Sequence, residues 1–151
     1  SYTIPYLPLP AVTQETSPMP QSDHPNVTTV RDMFAAFRSG DLAAIMEAIP
    51  EGLVWHFPGR NGGLAGAHRG RDAVLGFLAR VMELTGGTFH LDLDDVVGGD
   101  RHVIALFHGH GTRGAKTLDN PTCLHIRFEN GLPAEIHEFV WDLYAVDDFW
   151  S

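Results

Sequence analysis

The chain has 151 residues, 44% hydrophobic and 19% charged, which suits one folded domain and excludes a chain disordered throughout. Nineteen acids against ten bases leave a formal charge of −9, which argues against nonspecific binding to nucleic acid or to an anionic membrane. No apolar stretch approaches the roughly 20 residues that cross a bilayer, and the single Cys123 excludes an intrachain disulfide.

The first 26 residues carry Pro5, Pro8, Pro10, Pro18, Pro20 and Pro25, six of the ten prolines. Such a segment cannot sustain helix or sheet hydrogen bonds, so residues 1–26 read as an extension and residues 27–151 as the folded domain. Either a flexible leader or an arm packed through Tyr2, Ile4, Tyr6, Leu7 and Leu9 fits this composition. The opening SYTIPYLPLPAVTQ lacks the basic-then-apolar order of a signal peptide, and a cytoplasmic protein is expected.

A first helix is predicted from about Asn26, with Thr29 and Asp32 at capping-box spacing and Val30, Met33, Phe34 and Phe37 at helical intervals up to Gly40. Asp41 then caps a shorter helix that Pro50 stops. Leu53 to Phe57 reads as a strand, and the glycine-rich residues after it as a loop. A third helix spans Arg71 to Thr85, terminated by Gly86 and Gly87. From there the period becomes two, with strands at Thr88–Val97, Arg101–Thr112, Thr122–Glu129 and Pro133–Asp142. Asn130-Gly131 is a hairpin signal between the last two. Helices followed by antiparallel strands make an α+β layer fold.

If Asn130 and Gly131 form a two-residue loop without a bulge, His125 lies opposite Ile136 and Cys123 opposite Glu138, with Val140 and Asp142 continuing that face. In the preceding strand Ile104, Leu106, His108, His110 and Thr112 share one face, and Val103, Ala105 and Phe107 the other. Apolar residues on both faces imply that both are covered, one by the helices and one by a second subunit in a homodimer.

Histidine and carboxylate residues are the candidates for proton-transfer chemistry. His56, between Trp55 and Phe57, is either a hydrogen-bonded core residue or a pocket base. His110 is a second candidate. His108, His110 and His125 would make a metal site only if they converged, and neither a metal nor a cofactor is expected. Asp142 closes the last strand, where the rim of an apolar cavity would raise its pKa. Glu138 is the other acid, with a salt bridge to Arg127 as its alternative role. GRNGGLAG lacks a P-loop pattern, no GxSxG elbow occurs, and Cys123 reads as a small core residue.

RDMFAAFRSGDLAAIMEAIPEGLVWHFPG, followed by LAGAHRGRDAVLGFL and closed by FENGLPAEIHEFVWDLYAVDDFW, resembles a SnoaL-like domain of the nuclear-transport-factor-2-like superfamily over about residues 27–150. The resemblance implies a cone-shaped α+β barrel: a bent, mostly antiparallel sheet wraps around the N-terminal helices and leaves an apolar cavity. Polyketide cyclases, ketosteroid isomerases, scytalone dehydratases and limonene epoxide hydrolases share that fold, as do binding modules. It also implies that His56 and Asp142 approach the cavity. A histidine in WHFPG departs from the acid that isomerase relatives use there. The expected chemistry is general acid–base catalysis on a small apolar carbonyl or oxygenated molecule. His110 or Asp142 would take a proton while His56 or His125 donates to an oxygen, in a cavity walled by Trp55, Phe34, Phe37, Phe77, Leu106 and Val140. The alternatives are an epoxide hydrolase using Arg127 and a noncatalytic binding or assembly domain.

Overall fold

A computed structural model describes residues 23–60 and 62–151, so the expectations for the proline-rich segment fall outside the described residues as far as residue 22. In chain order the elements are α1 (Pro25–Ser39), α2 (Leu42–Ala48), β1 (Val54–Phe57), β2 (Gly66–Arg69), α3 (Arg71–Leu84), β3 (His90–Gly98), β4 (His102–Arg113), β5 (Lys116–Glu129), β6 (Leu132–Val140) and α4 (Leu143–Trp150). Six strands form one sheet in the order β2-β1-β6-β5-β4-β3, antiparallel throughout except for the parallel pair β1–β6. This is the expected α+β architecture, a curved sheet around N-terminal helices.

The helix starts follow local chemistry. Pro25 occupies the first turn of α1, where its missing N–H costs nothing, and the His24 ring accepts the Asn26 backbone N–H at 3.0 Å. Thr29 and Asp32 therefore do not form the expected capping box; Thr29 Oγ1 donates to the Pro25 carbonyl instead. The Asn26 amide ties the helix start to the β3–β4 turn by donating to the carbonyls of Gly99 and Asp100. Asp41 caps α2 as expected, accepting from Ala43 and Ala44.

Two elements were not expected. The glycine-rich loop after β1 contains β2, a four-residue strand whose glycine and polar residues carry no apolar alternation. The tail after Asp142 is helical, and α4 buries Val146, Phe149 and Trp150. In addition β5 begins at Lys116, ahead of the expected start at Thr122.

Asn130 (φ 50°) and Gly131 (φ 75°) turn the β5–β6 hairpin as expected, and Glu129 faces Leu132. One step further the register changes. Phe128 faces Pro133, but Arg127 faces Glu135, leaving Ala134 as the extra residue of a bulge. Beyond it His125 pairs with His137, Leu124 with Glu138 and Cys123 with Phe139, which corrects the unbulged register.

The inner face of the sheet carries Val103, Ala105 and Phe107 from β4, Leu124 and Ile126 from β5 and Ile136 from β6, each 6% exposed or less. They pack with Val27, Val30 and Phe34 of α1 and Val74 of α3. A second cluster joins Phe57, Leu64, Phe77, Val81 and the three buried residues of α4. No helix among the described residues is long and apolar enough to cross a membrane.

Candidate active site

Between the inner face and the helices lies a cavity of about 100 Å³. Phe34 and Phe37 of α1, Trp55 of β1, Phe77 of α3 and Trp150 of α4 supply its aromatic wall. Its polar groups are Asn120, Thr122 and Glu138 on neighbouring strands, together with the Trp55 indole, and Glu138 is the one titratable side chain among the described lining residues. The Asn120 amide donates to Thr122 Oγ1 at 2.9 Å, and the Thr122 hydroxyl lies 3.2 Å from the Asn120 carbonyl oxygen that accepts from it.

Glu138 reaches this position because the bulge at Ala134 places it beside Leu124 on the inner face. Trp55 Nε1 donates to Glu138 Oε1 at 3.2 Å. By accessible surface the residue is half-buried, since its carboxyl faces the cavity, yet burial in protein pushes its pKa from the ordinary 4.5 up to about 8. The Trp55 N–H works in the opposite direction by favouring the carboxylate, and desolvation outweighs it. A carboxyl group in this state is largely neutral at pH 7, so it can donate a proton and, once ionised, take one back.

The structure separates the other expected site residues from the cavity. His56 and His125 project from the outer face of the sheet. The His56 ring stacks on His137 at 4.2 Å, and its Nε2 lies 3.3 Å from Glu135 Oε2. His125 Nε2 lies 2.9 Å from His102 Nδ1, and its pKa is lowered chiefly by burial, then by the neighbouring histidines. His56, His137, His125 and His102 form a row across β1, β6, β5 and β4. His110 is also on that face, against Asp92 and Asp119. Asp142 is exposed and caps α4 by accepting the Ala145 backbone N–H. Arg127 pairs with Glu129 at the surface and not with Glu138.

Of the expected apolar wall, Phe34, Phe37, Trp55 and Phe77 line the cavity. Leu106 is 42% exposed on the outer face, whereas Val140 packs against the second core cluster beside the cavity. Asn120 and Thr122 were missed as site residues. Their signal is the continued alternation Leu118, Asn120, Thr122, Leu124, Ile126, which the glycine at 114 and proline at 121 obscure.

The family model described as a SnoaL-like domain matches residues 30–136. The chain is 31% identical over 131 residues to an uncharacterized protein of Mycobacterium tuberculosis strain H37Rv, covering 86% of this chain and 99% of that protein. Among solved structures it is similar to Bal32a from a soil-derived mobile gene cassette, with 40% identity, a TM-score of 0.79 and coverage of 84% of this chain and 97% of that one. A Xanthomonas campestris protein with a cystatin-like fold is 28% identical with a TM-score of 0.77, covering 83% of this chain and 98% of that one. The chain belongs to the SnoaL-like domain family.

Proposed function

We propose that this SnoaL-like domain is an acid–base enzyme of the cyclase, isomerase or dehydratase type, acting on a small apolar carbonyl or oxygenated molecule with Glu138 as the proton-transfer group. The observation that carries the reading is a single titratable side chain among the described lining residues of a mostly apolar, aromatic cavity, with its pKa near 8. Trp55 fixes the carboxyl through Oε1 and leaves the acidic proton to Oε2. Asn120, four residues before Glu138's partner Leu124 on β5 and on the same face, is the group we assign to an oxygen on which negative charge develops.

The direction of transfer is readable from pH. A step that needs Glu138 as an acid slows above pH 8, and a step that needs it as a base speeds up until about pH 8. The test is exchange of α-protons of small cyclic ketones in deuterated water, followed by NMR. Wild-type protein should accelerate exchange, and Glu138→Gln should lose roughly 10²- to 10⁴-fold of that acceleration. Equal exchange by both proteins would remove Glu138 from the chemistry. Ketone binding without exchange in the wild type would favour the binding-domain alternative.

For the outer face we propose a second copy of the chain as partner. Leu106 and Phe139 lie in one row with Cys123 across β4, β5 and β6, and they are 42% and 58% exposed. Sedimentation equilibrium should show a dimer that Phe139→Lys weakens; a wild-type monomer would refute the pairing.

A further inference from the structure

We infer that His108, His110 and Asp119 form a binding site for one divalent transition-metal ion of the Zn²⁺ class, on the sheet face opposite the cavity. His108 and His110 flank Gly109 on β4, and Asp119 is the cross-strand partner of His110 on β5. The longest strand pair of the sheet therefore holds all three side chains on one face.

The distances suit coordination. Asp119 Oδ1 lies 3.3 Å from His108 Nδ1 and 3.7 Å from His110 Nδ1. A tetrahedral zinc with bonds of about 2.0–2.1 Å keeps its ligand atoms about 3.3–3.4 Å apart. The two ring centres are 6.2 Å apart, whereas the three ligand atoms all lie within 4.8 Å of one another. The rings are 19° from parallel, and a small rotation about their side-chain bonds brings both nitrogens onto one ion beside Asp119.

The far side of each ring is also provided for. His110 Nε2 is 2.9 Å from Asp92 Oδ2, and His108 Nε2 is 3.5 Å from Asp94 Oδ2. A metal-binding imidazole typically donates its other N–H to a carboxylate, which fixes the ring and increases its basicity. Here each ring has Nδ1 towards Asp119 and a β3 carboxylate near its Nε2, within reach of such a bond. Three carboxylates around two histidines, in a chain of net charge −9, also favour a cation. The exposed Asp119 side chain leaves a way in and room for water as a further ligand.

Two neighbouring groups are less suited. The rings of His56 and His137 lie face to face at 4.2 Å and 6°, a closer stack than the 6.2 Å of His108 and His110, so an ion between them has less room although their nitrogens and Glu135 also lie within 4.8 Å of one another. His90 and His110 stack similarly at 4.8 Å and 18°. His125, the third histidine suggested by strand spacing, pairs with Ile104 and lies too far along the sheet to complete the set.

The experiment uses the untagged full-length chain. Calorimetric titration with ZnCl₂ should give one ion per chain, and CoCl₂ should produce the visible absorption of a low-coordinate nitrogen–oxygen site. His110→Gln and Asp119→Asn should each weaken Zn²⁺ binding at least tenfold, and Asp92→Asn by about 10- to 100-fold. His56→Gln, His90→Gln and His137→Gln should stay within about twofold of wild type. Far-ultraviolet circular dichroism and sedimentation equilibrium of each variant should match wild type, which separates loss of binding from unfolding and from loss of the proposed pairing on the same face. Absence of saturable uptake would overturn the assignment. So would loss of uptake in His56→Gln, His90→Gln or His137→Gln while His110→Gln retains it.

Discussion

Replacing Glu138 by Gln keeps the side-chain shape and the acceptor for Trp55 but removes the ionisation, so it isolates the cost of holding this carboxyl in an apolar cavity. In the folded chain its pKa is about 8, against an ordinary 4.5. Between these values the unfolded chain has released the proton and the folded chain still binds it. The folded state then carries the larger number of bound protons, so its stability falls as pH rises, beginning near pH 4.5 and levelling off above pH 8. At about 1.36 kcal/mol per pH unit the full loss is about 4–5 kcal/mol, of which about 3 kcal/mol has accrued by pH 7. Glutamine carries no such loss. Urea unfolding of both proteins at pH 5, 7 and 9 should show the stability of Glu138→Gln relative to wild type growing by about those amounts. Other titrating groups are common to both chains and cancel in the difference. A difference that stays flat from pH 5 to pH 9 would show that the carboxyl ionises at its ordinary pH and would remove the physical basis for its proposed role.

Trp55→Phe removes the N–H that favours the carboxylate, so the Glu138 titration followed by carbon NMR should move upward by about one to two pH units, the equivalent of a lost hydrogen bond to a charged group. No upward movement would show that the indole does not stabilise the charge. Asp142→Ala should cost about 1 kcal/mol in chemical denaturation by uncapping α4, whereas Asp142→Asn should be nearly neutral. Loss of ketone exchange in a stable Asp142→Asn protein would return that residue to the reaction. Trp150→Ala empties both a buried core position and part of the cavity wall, and should cost about 3–5 kcal/mol by the same assay. A cost below 1 kcal/mol would mean that α4 is not part of the core.

The fold was legible where periodicity was strong. The helical spacing of Val30, Phe34 and Phe37, the alternation through β4 and the Asn130-Gly131 turn each carry their own physical cause. β2 was not legible, because four residues of glycine, alanine, histidine and arginine acquire strand geometry only from β1 beside them. The cavity aromatics Phe34, Phe37, Trp55 and Phe77 were readable as apolar positions on helices and an early strand. Choosing among the acids and histidines needed the sheet itself. His110 and Leu106 do share a face, as their spacing requires, but spacing does not say which face meets the helices. Asp142 looked like a cavity-rim acid because the helix that it caps has only eight residues and follows a strand with no glycine or proline between them.

Ala134 bears on how relatives should be compared. Because it is one residue more than the hairpin pairing requires, it determines whether position 137 or position 138 faces the helices. A relative with a shorter β6 at this point would present the opposite alternation, and an alignment that slides a gap across residues 130–135 would equate its interior acid with this chain's outer histidine. Family members should therefore be superposed on the strand pairs beyond the bulge, where Leu124 faces Glu138, before acid and histidine are counted as present or absent. An apparent swap of His137 and Glu138 between two relatives would then record a change in strand phase and leave the chemistry of the interior as it was.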